Sequence, residues 1–154
     1  MFRINAWILL FGILFVSSCA PAEVHKPDSP KMPALEGKWV IRMTQSGGIM
    51  GMSQSIDIRS DGSYTATDIR TDQTRAGRLS EDELTGLIKH VASVEYSTVD
   101  VPEHFGCADC FLYDLQITAN KQIFSVQLND ISLPQSGLES LVMNLREIMT
   151  RKLR

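Results

Sequence analysis

WVIRMTQSGGIMGMSQSIDIRSDGSYTATDI, residues 39–69, decides the fold class. Trp39, Ile41 and Met43 alternate with Lys38, Arg42 and Thr44, and further on Met52, Ile56 and Ile58 alternate with Ser55, Asp57 and Arg59. A period of two is that of a strand with one buried face. Between the two runs lies Ser46-Gly47-Gly48-Ile49-Met50-Gly51-Met52, and after them Asp61-Gly62 turns the chain into a third apolar run over residues 64–69. Asp-Gly flanked by alternating runs signals a hairpin. Strands joined by such short turns pair antiparallel, because a parallel neighbour needs a long crossover.

Toward the carboxyl end, Ser80-Glu81-Asp82-Glu83 puts a hydroxyl at a helix N-cap and a carboxylate three residues on, with Leu84, Leu87, Ile88 and Val91 following at helical spacing. This predicts a helix that begins at or beside Glu81. Beyond a polar loop containing Pro102, Phe111, Tyr113, Leu115 and Ile117 alternate with polar neighbours, and Asn120-Lys121 turns the chain into Phe124, Val126 and Leu128. That is a second hairpin. Ser136 with Glu139 repeats the capping pattern ahead of an apolar stripe, Leu138, Leu141, Val142, Leu145, Ile148 and Met149. A final helix is expected there, with Arg151, Lys152 and Arg154 complementing its C-terminal dipole. The order βββαββα predicts an α+β fold in which an antiparallel sheet of about five strands packs against two helices.

Toward the amino end the pattern changes. Arg3 is followed by residues 6–16 without a charge, and Ser17, Ser18 and Cys19 close the segment. Eleven residues rise only about 16 Å as a helix, short of the roughly 30 Å hydrocarbon core, so residues 1–18 read as a signal peptide and not as a membrane span. Val16-Ser17-Ser18-Cys19 resembles the lipobox of bacterial lipoproteins. That resemblance implies cleavage before Cys19, a diacylglyceryl thioether on its sulfur and an N-acyl chain such as palmitate. Two or more chains anchor a protein stably. Ala20 in place of Asp resembles the outer-membrane sorting pattern, so the expected location is the cell envelope: lipid-anchored, at the outer membrane if the cell is Gram-negative, facing the periplasm or the exterior. Residues 19–35 hold four of the six prolines and no apolar period, as a lipidated tether would. Residues 36–154 suffice for one hydrophobic core.

Loss of residues 1–18 takes Arg3 with it and leaves 14 basic against 18 acidic side chains, a net of −4. That sign disfavours nucleic acid as a partner. No His-Glu-x-x-His, Gly-x-Ser-x-Gly, phosphate loop or dinucleotide fingerprint occurs, so the chain is not expected to be an enzyme, nor to carry a cofactor. His25, His90 and His104 are scattered, and only His104 lies near other candidate ligands.

With Cys19 assigned to lipid, Cys107 and Cys110 remain as a pair. Cys-x-x-Cys admits a structural disulfide, a redox couple or half of a metal site; an oxidising compartment favours the disulfide. A redox couple gains its low thiol pKa from a helix N-terminus, whereas a strand follows here. The glycine-flanked loop also has two readings. Ile49 or Met50 can tuck inward beneath a long hairpin turn, or Gly47, Gly48 and Gly51 can hold them outward on a rigid support, as a binding loop requires.

Together these residues resemble the emfourin, or protealysin-inhibitor, family. The match rests on the early strand running into Ser46-Gly47-Gly48-Ile49-Met50-Gly51, on Phe111-x-Tyr113-x-Leu115-x-Ile117 with its partner strand, and on Leu133-Pro134 before an apolar C-terminal helix. The resemblance spans roughly residues 38–149 and implies a protein inhibitor of thermolysin-like zinc metallopeptidases that occupies the substrate cleft. Such enzymes favour a large apolar side chain just after the cleaved bond, a place that Ile49, Met50 or Met52 could fill. The leader, the tether and the Cys-x-x-Cys are additions to the family pattern. A non-inhibitory envelope lipoprotein that binds another protein through the same face is the alternative expectation. A third class, a thiol oxidoreductase or metal-binding protein, depends on Cys107 and Cys110.

Overall fold

The structure, a computed structural model, describes residues 32–95 and 107–154. The expected signal peptide (residues 1–18), Cys19, His25 and His104 lie outside them. The strands are β1 (Trp39–Gly47), β2 (Met52–Arg59), β3 (Ser63–Asp68), β4 (Gln73–Arg78), β5 (Phe111–Ala119) and β6 (Gln122–Asn129). Helix α1 (Glu81–Ala92) follows β4, and α2 (Glu139–Leu153) closes the chain. The six strands of the described residues pair antiparallel in the order β4-β3-β2-β1-β5-β6, so β1 is central.

One face of the sheet is apolar throughout its centre. Ile41, Met43, Ile56, Ile58, Leu115, Ile117 and Phe124 are buried there against Leu87 and Val91 of α1 and Leu141, Val142, Leu145, Ile148 and Met149 of α2. The other face is polar. Arg42 and Asp57 sit opposite one another on it and form a bidentate pair, both bonds 2.7 Å long. Two layers with a single buried seam explain why alternation runs so cleanly through the central strands.

The sheet has six strands where the pattern predicts about five. The addition is β4, Gln-Thr-Arg-Ala-Gly-Arg, an edge strand whose residues are nearly all exposed. With no buried face it has no hydrophobic period to betray it. It is recruited through its backbone ladder with β3, and through Gly77, which faces Tyr64. A Cβ at Gly77 would lie 2.9 Å from the Tyr64 hydroxyl, so glycine lets that ring lie across the strand.

Helix α1 starts where expected. Ser80 Oγ accepts from Glu83 N–H at 3.2 Å and Ser80 N–H donates to Glu83 Oε2 at 2.9 Å, a complete capping box. Ser136, by contrast, does not cap α2. It ends a short 3-10 turn (Leu133–Gln135) that holds Pro134 in its first positions, donating to Leu133 O at 2.7 Å and accepting from Leu138 N–H at 3.0 Å. Leu138 takes the N-cap position with no side-chain cap. Burial of Leu133 and Leu138 sets this geometry, with Gly137 at φ 74° as the joint between turn and helix.

Residues 32–35, given to the tether by composition, lie against the domain. Pro33 is buried, Met32 and Leu35 pack on the core, and Asn120 Nδ2 donates to Ala34 O at 3.3 Å.

Candidate functional site

The strand register places each strand-to-strand turn among the described residues at one of two ends of the sheet. Gly47 is level with Met52 and Phe111, and Asp68 with Gln54 and Gln73. The glycine-rich loop, the β3–β4 turn and the Cys107–Cys110 segment therefore converge at one end. The two motifs singled out in the sequence, some sixty residues apart, meet there.

Residues 48–51 form a β-turn closed by Gly51 N–H on Gly48 O at 2.9 Å. Gly47, Gly48 and Gly51 have φ of 96°, 71° and 58°, the left-handed region that side chains resist. Gly47 meets a second demand: a Cβ there would stand 2.5 Å from Cys110 O. Gly48 meets a third, since its Cβ would lie 2.7 Å from the Phe111 ring. The loop is thus pressed against the strand entrance of β5, and Gly48 N–H donates to Cys110 O at 3.1 Å. Between the glycines, Ile49 is 88% and Met50 72% exposed, pointing outward and not tucked beneath the turn. Met52 is half-buried at the start of β2.

The β3–β4 turn supports the loop from the other side. Arg70 Nη1 donates to Met50 O, and Ile69 N–H donates to Ser53 O at 2.8 Å. Asp68 shapes this turn by accepting from the backbone N–H groups of Arg70 and Thr71, both at 3.1 Å, and from Gln54 Nε2 at 3.0 Å. The Gln54 bond, before the others, holds the Asp68 carboxyl below its ordinary range. Ile69, 54% exposed, adds a third outward apolar side chain that the sequence reading missed. The run over residues 64–69 predicts a strand through Ile69, whereas β3 ends at Asp68, and nothing in the local pattern marks Arg70 as a strut.

Beneath the loop, Asp130 fastens β5. It accepts from Phe111 N–H at 2.8 Å and from the Tyr113 hydroxyl at 3.0 Å. Burial, followed by the bond to Asp130, pushes the Tyr113 phenol up to about 12. The Arg146 guanidinium lies 5.3 Å from the centre of the Phe111 ring, a cation–π contact that steadies the ring under Gly48.

Cys107 and Cys110 form a disulfide, with Cα atoms 5.4 Å apart and three positions of sequence separation. So short a ring constrains the unfolded chain by only about 2 kcal/mol in the chain-entropy relation. Its effect is local: it fixes the turn that delivers Cys110 O to the loop. Strand β5, not a helix, follows it directly. Among the described residues no group of three or more His, Cys, Asp or Glu could hold a metal ion, and no helix is long and apolar enough to cross a membrane. His90 Nδ1 pairs with Ser140 Oγ at 3.1 Å between the helices, away from the loop.

Neither the protein-family models nor the curated proteins compared with this chain give a match. The likeness to emfourin rests on the residues quoted above.

Proposed function

We propose that this chain is a lipid-anchored envelope protein whose loop 48–51 binds and inhibits thermolysin-like zinc metallopeptidases by filling the substrate cleft. The observation that carries the reading is the pair Ile49 and Met50, almost fully exposed on a turn held by three left-handed glycines and by bonds from two other segments. Folding gains nothing from leaving such side chains in water. A preorganised loop loses little conformational freedom on binding, and that is where its affinity originates. The turn also separates inhibitor from substrate. Cleavage needs an extended main chain across the cleft, whereas the Gly51 to Gly48 bond keeps the peptide folded back while an apolar knob enters the pocket.

The test is titration of thermolysin with the full chain in detergent, read by peptide hydrolysis. Inhibition is expected, and Ile49→Asp and Met50→Asp should each weaken it at least tenfold, because a carboxylate would have to be desolvated in an apolar pocket. Undiminished inhibition by both variants would remove the loop from the role. No inhibition by the parent chain would remove the peptidase and leave a non-inhibitory partner-binding lipoprotein. Anchoring is read separately: labelled palmitate should enter the chain in an exporting bacterium, and Cys19→Ala should abolish that.

A further inference from the structure

We propose that the Cys107–Cys110 disulfide positions the binding loop, so that reduction of this bond by a dithiol loosens residues 48–51 and weakens whatever they bind. The proposal rests on loop 48–51 being the binding element, and it adds a control on that element.

Three contacts carry it. Cys110 O accepts the Gly48 N–H, the first backbone bond beyond the β1–β5 ladder, which ends at the Gly47 and Phe111 pair. The same carbonyl oxygen lies where a side chain on Gly47 would stand, so its position dictates the path of the chain into the loop. The Phe111 ring, one residue on, fills the space over Gly48. On its other flank the loop tip hangs from a single side chain, Arg70. The carbonyl on which the loop leans thus belongs to one of the two residues that the sulfur bridge joins. Ala108 and Asp109 between them are exposed and both cysteines are only half-buried, so a small reductant has access.

The chemistry is thiol–disulfide exchange. One thiolate of the dithiol attacks a cysteine sulfur and displaces the other cysteine as thiolate; the second thiol then closes on the first. The bond between Cys107 and Cys110 breaks, both cysteines end as thiols, and the dithiol becomes its own disulfide, two electrons and two protons having passed to the protein. The turn at residues 107–110 then loses its covalent closure, and the Gly48 N–H loses a fixed acceptor. Phe111 stays in place, because Asp130 holds its N–H independently.

The experiment compares amide hydrogen exchange in the full chain in detergent, oxidised and after treatment with dithiothreitol, and in the double variant Cys107→Ser/Cys110→Ser. The Gly48 amide should exchange at least tenfold faster in the reduced protein and in the double variant, while the Arg42 and Gln116 amides in the β1–β5 ladder stay as they were; reoxidation should restore protection. An unchanged Gly48 rate on reduction would overturn the proposal. So would equal acceleration of the ladder amides, which would make the bridge a general staple. Thermolysin inhibition is measured with the double variant, avoiding chelation of the enzyme's zinc by the dithiol, and should weaken at least tenfold relative to the parent chain. Should the oxidised parent not inhibit thermolysin at all, the peptidase reading fails, and the exchange comparison still decides the coupling.

Discussion

The two ends of the sheet solve the same problem, reversing a strand, in opposite ways. At the end that carries Asp61 and Asn120, the turns are shaped largely from within, with Leu79 N–H on Gly62 O at 2.9 Å as a bond from a neighbouring segment. Asp61 Oδ1 accepts from Ser63 N–H at 2.9 Å and from its hydroxyl at 2.7 Å, which holds the Asp61 carboxyl below its ordinary range. Asn120 and Lys121 close the β5–β6 hairpin with φ of 51° and 63°, the two-residue turn that suits strand twist. At the other end the loop is shaped by remote partners, Cys110 and Arg70, and it leaves Ile49 and Met50 in water. A turn that serves only to connect has no need of a large apolar side chain at its tip. The difference supports the proposal that the loop end is the one that binds.

Substitutions sharpen this contrast, beginning with the largest effect. Gly47→Ala should destabilise by about 3 kcal/mol, since left-handed strain adds to a clash with a backbone oxygen. Gly51→Ala meets open space and should lose only about 1 kcal/mol from its φ. Urea midpoints at unchanged slope would measure both; equal losses would mean that Cys110 O does not constrain the loop.

The ends should also titrate in opposite directions. At the loop end Tyr113 stays neutral up to about 12 in the fold, while an unfolded phenol ionises near 10.0. Ionisation therefore favours the unfolded chain first, and stability should fall as pH rises through that window; Tyr113→Phe should remove the fall. At the other end, the bond from Ser80 N–H, ahead of the Lys152 and Arg151 contacts, lowers the Glu83 carboxyl below its ordinary 4.5. A depressed carboxylate stabilises above its unfolded pKa, and that stability is lost as pH falls through the folded value. Glu83→Gln should flatten the acid arm, with a loss of about 1 kcal/mol at neutral pH. Thermal melts against pH would show whether each arm belongs to its assigned residue.

The smallest effect is the most telling. Ile49→Asp and Met50→Asp should each change stability by less than about 0.5 kcal/mol, because both side chains are already in water. A large loss would show that they serve the fold and not a partner.

The central strands and both helices could be read from sequence because each has one buried stripe, and a stripe writes its period into the residues. Strand β4 has none, and Arg75, Gly77 and Arg78 look like loop until the ladder with β3 is seen. Gln45 hid a different way: it is buried on the same face as Ile41 and Met43, where a polar residue is not expected. Ser136 has the right residue type and spacing for a cap, but its hydroxyl is taken by Leu133 O and Leu138 N–H in the turn before the helix. The glycine loop and the Cys-x-x-Cys could each be picked out alone. Their meeting follows only from the register of β1 on β5, which neither motif contains.

The docking of residues 32–35 beside Asn120 gives the molecule a polarity. Residues 32–35 join the domain at the end opposite the loop, and β1 then spans nine residues, about 30 Å, before the loop begins. A domain fastened through that stretch carries Ile49 and Met50 on its distal pole, as far from its moorings as the sheet is long.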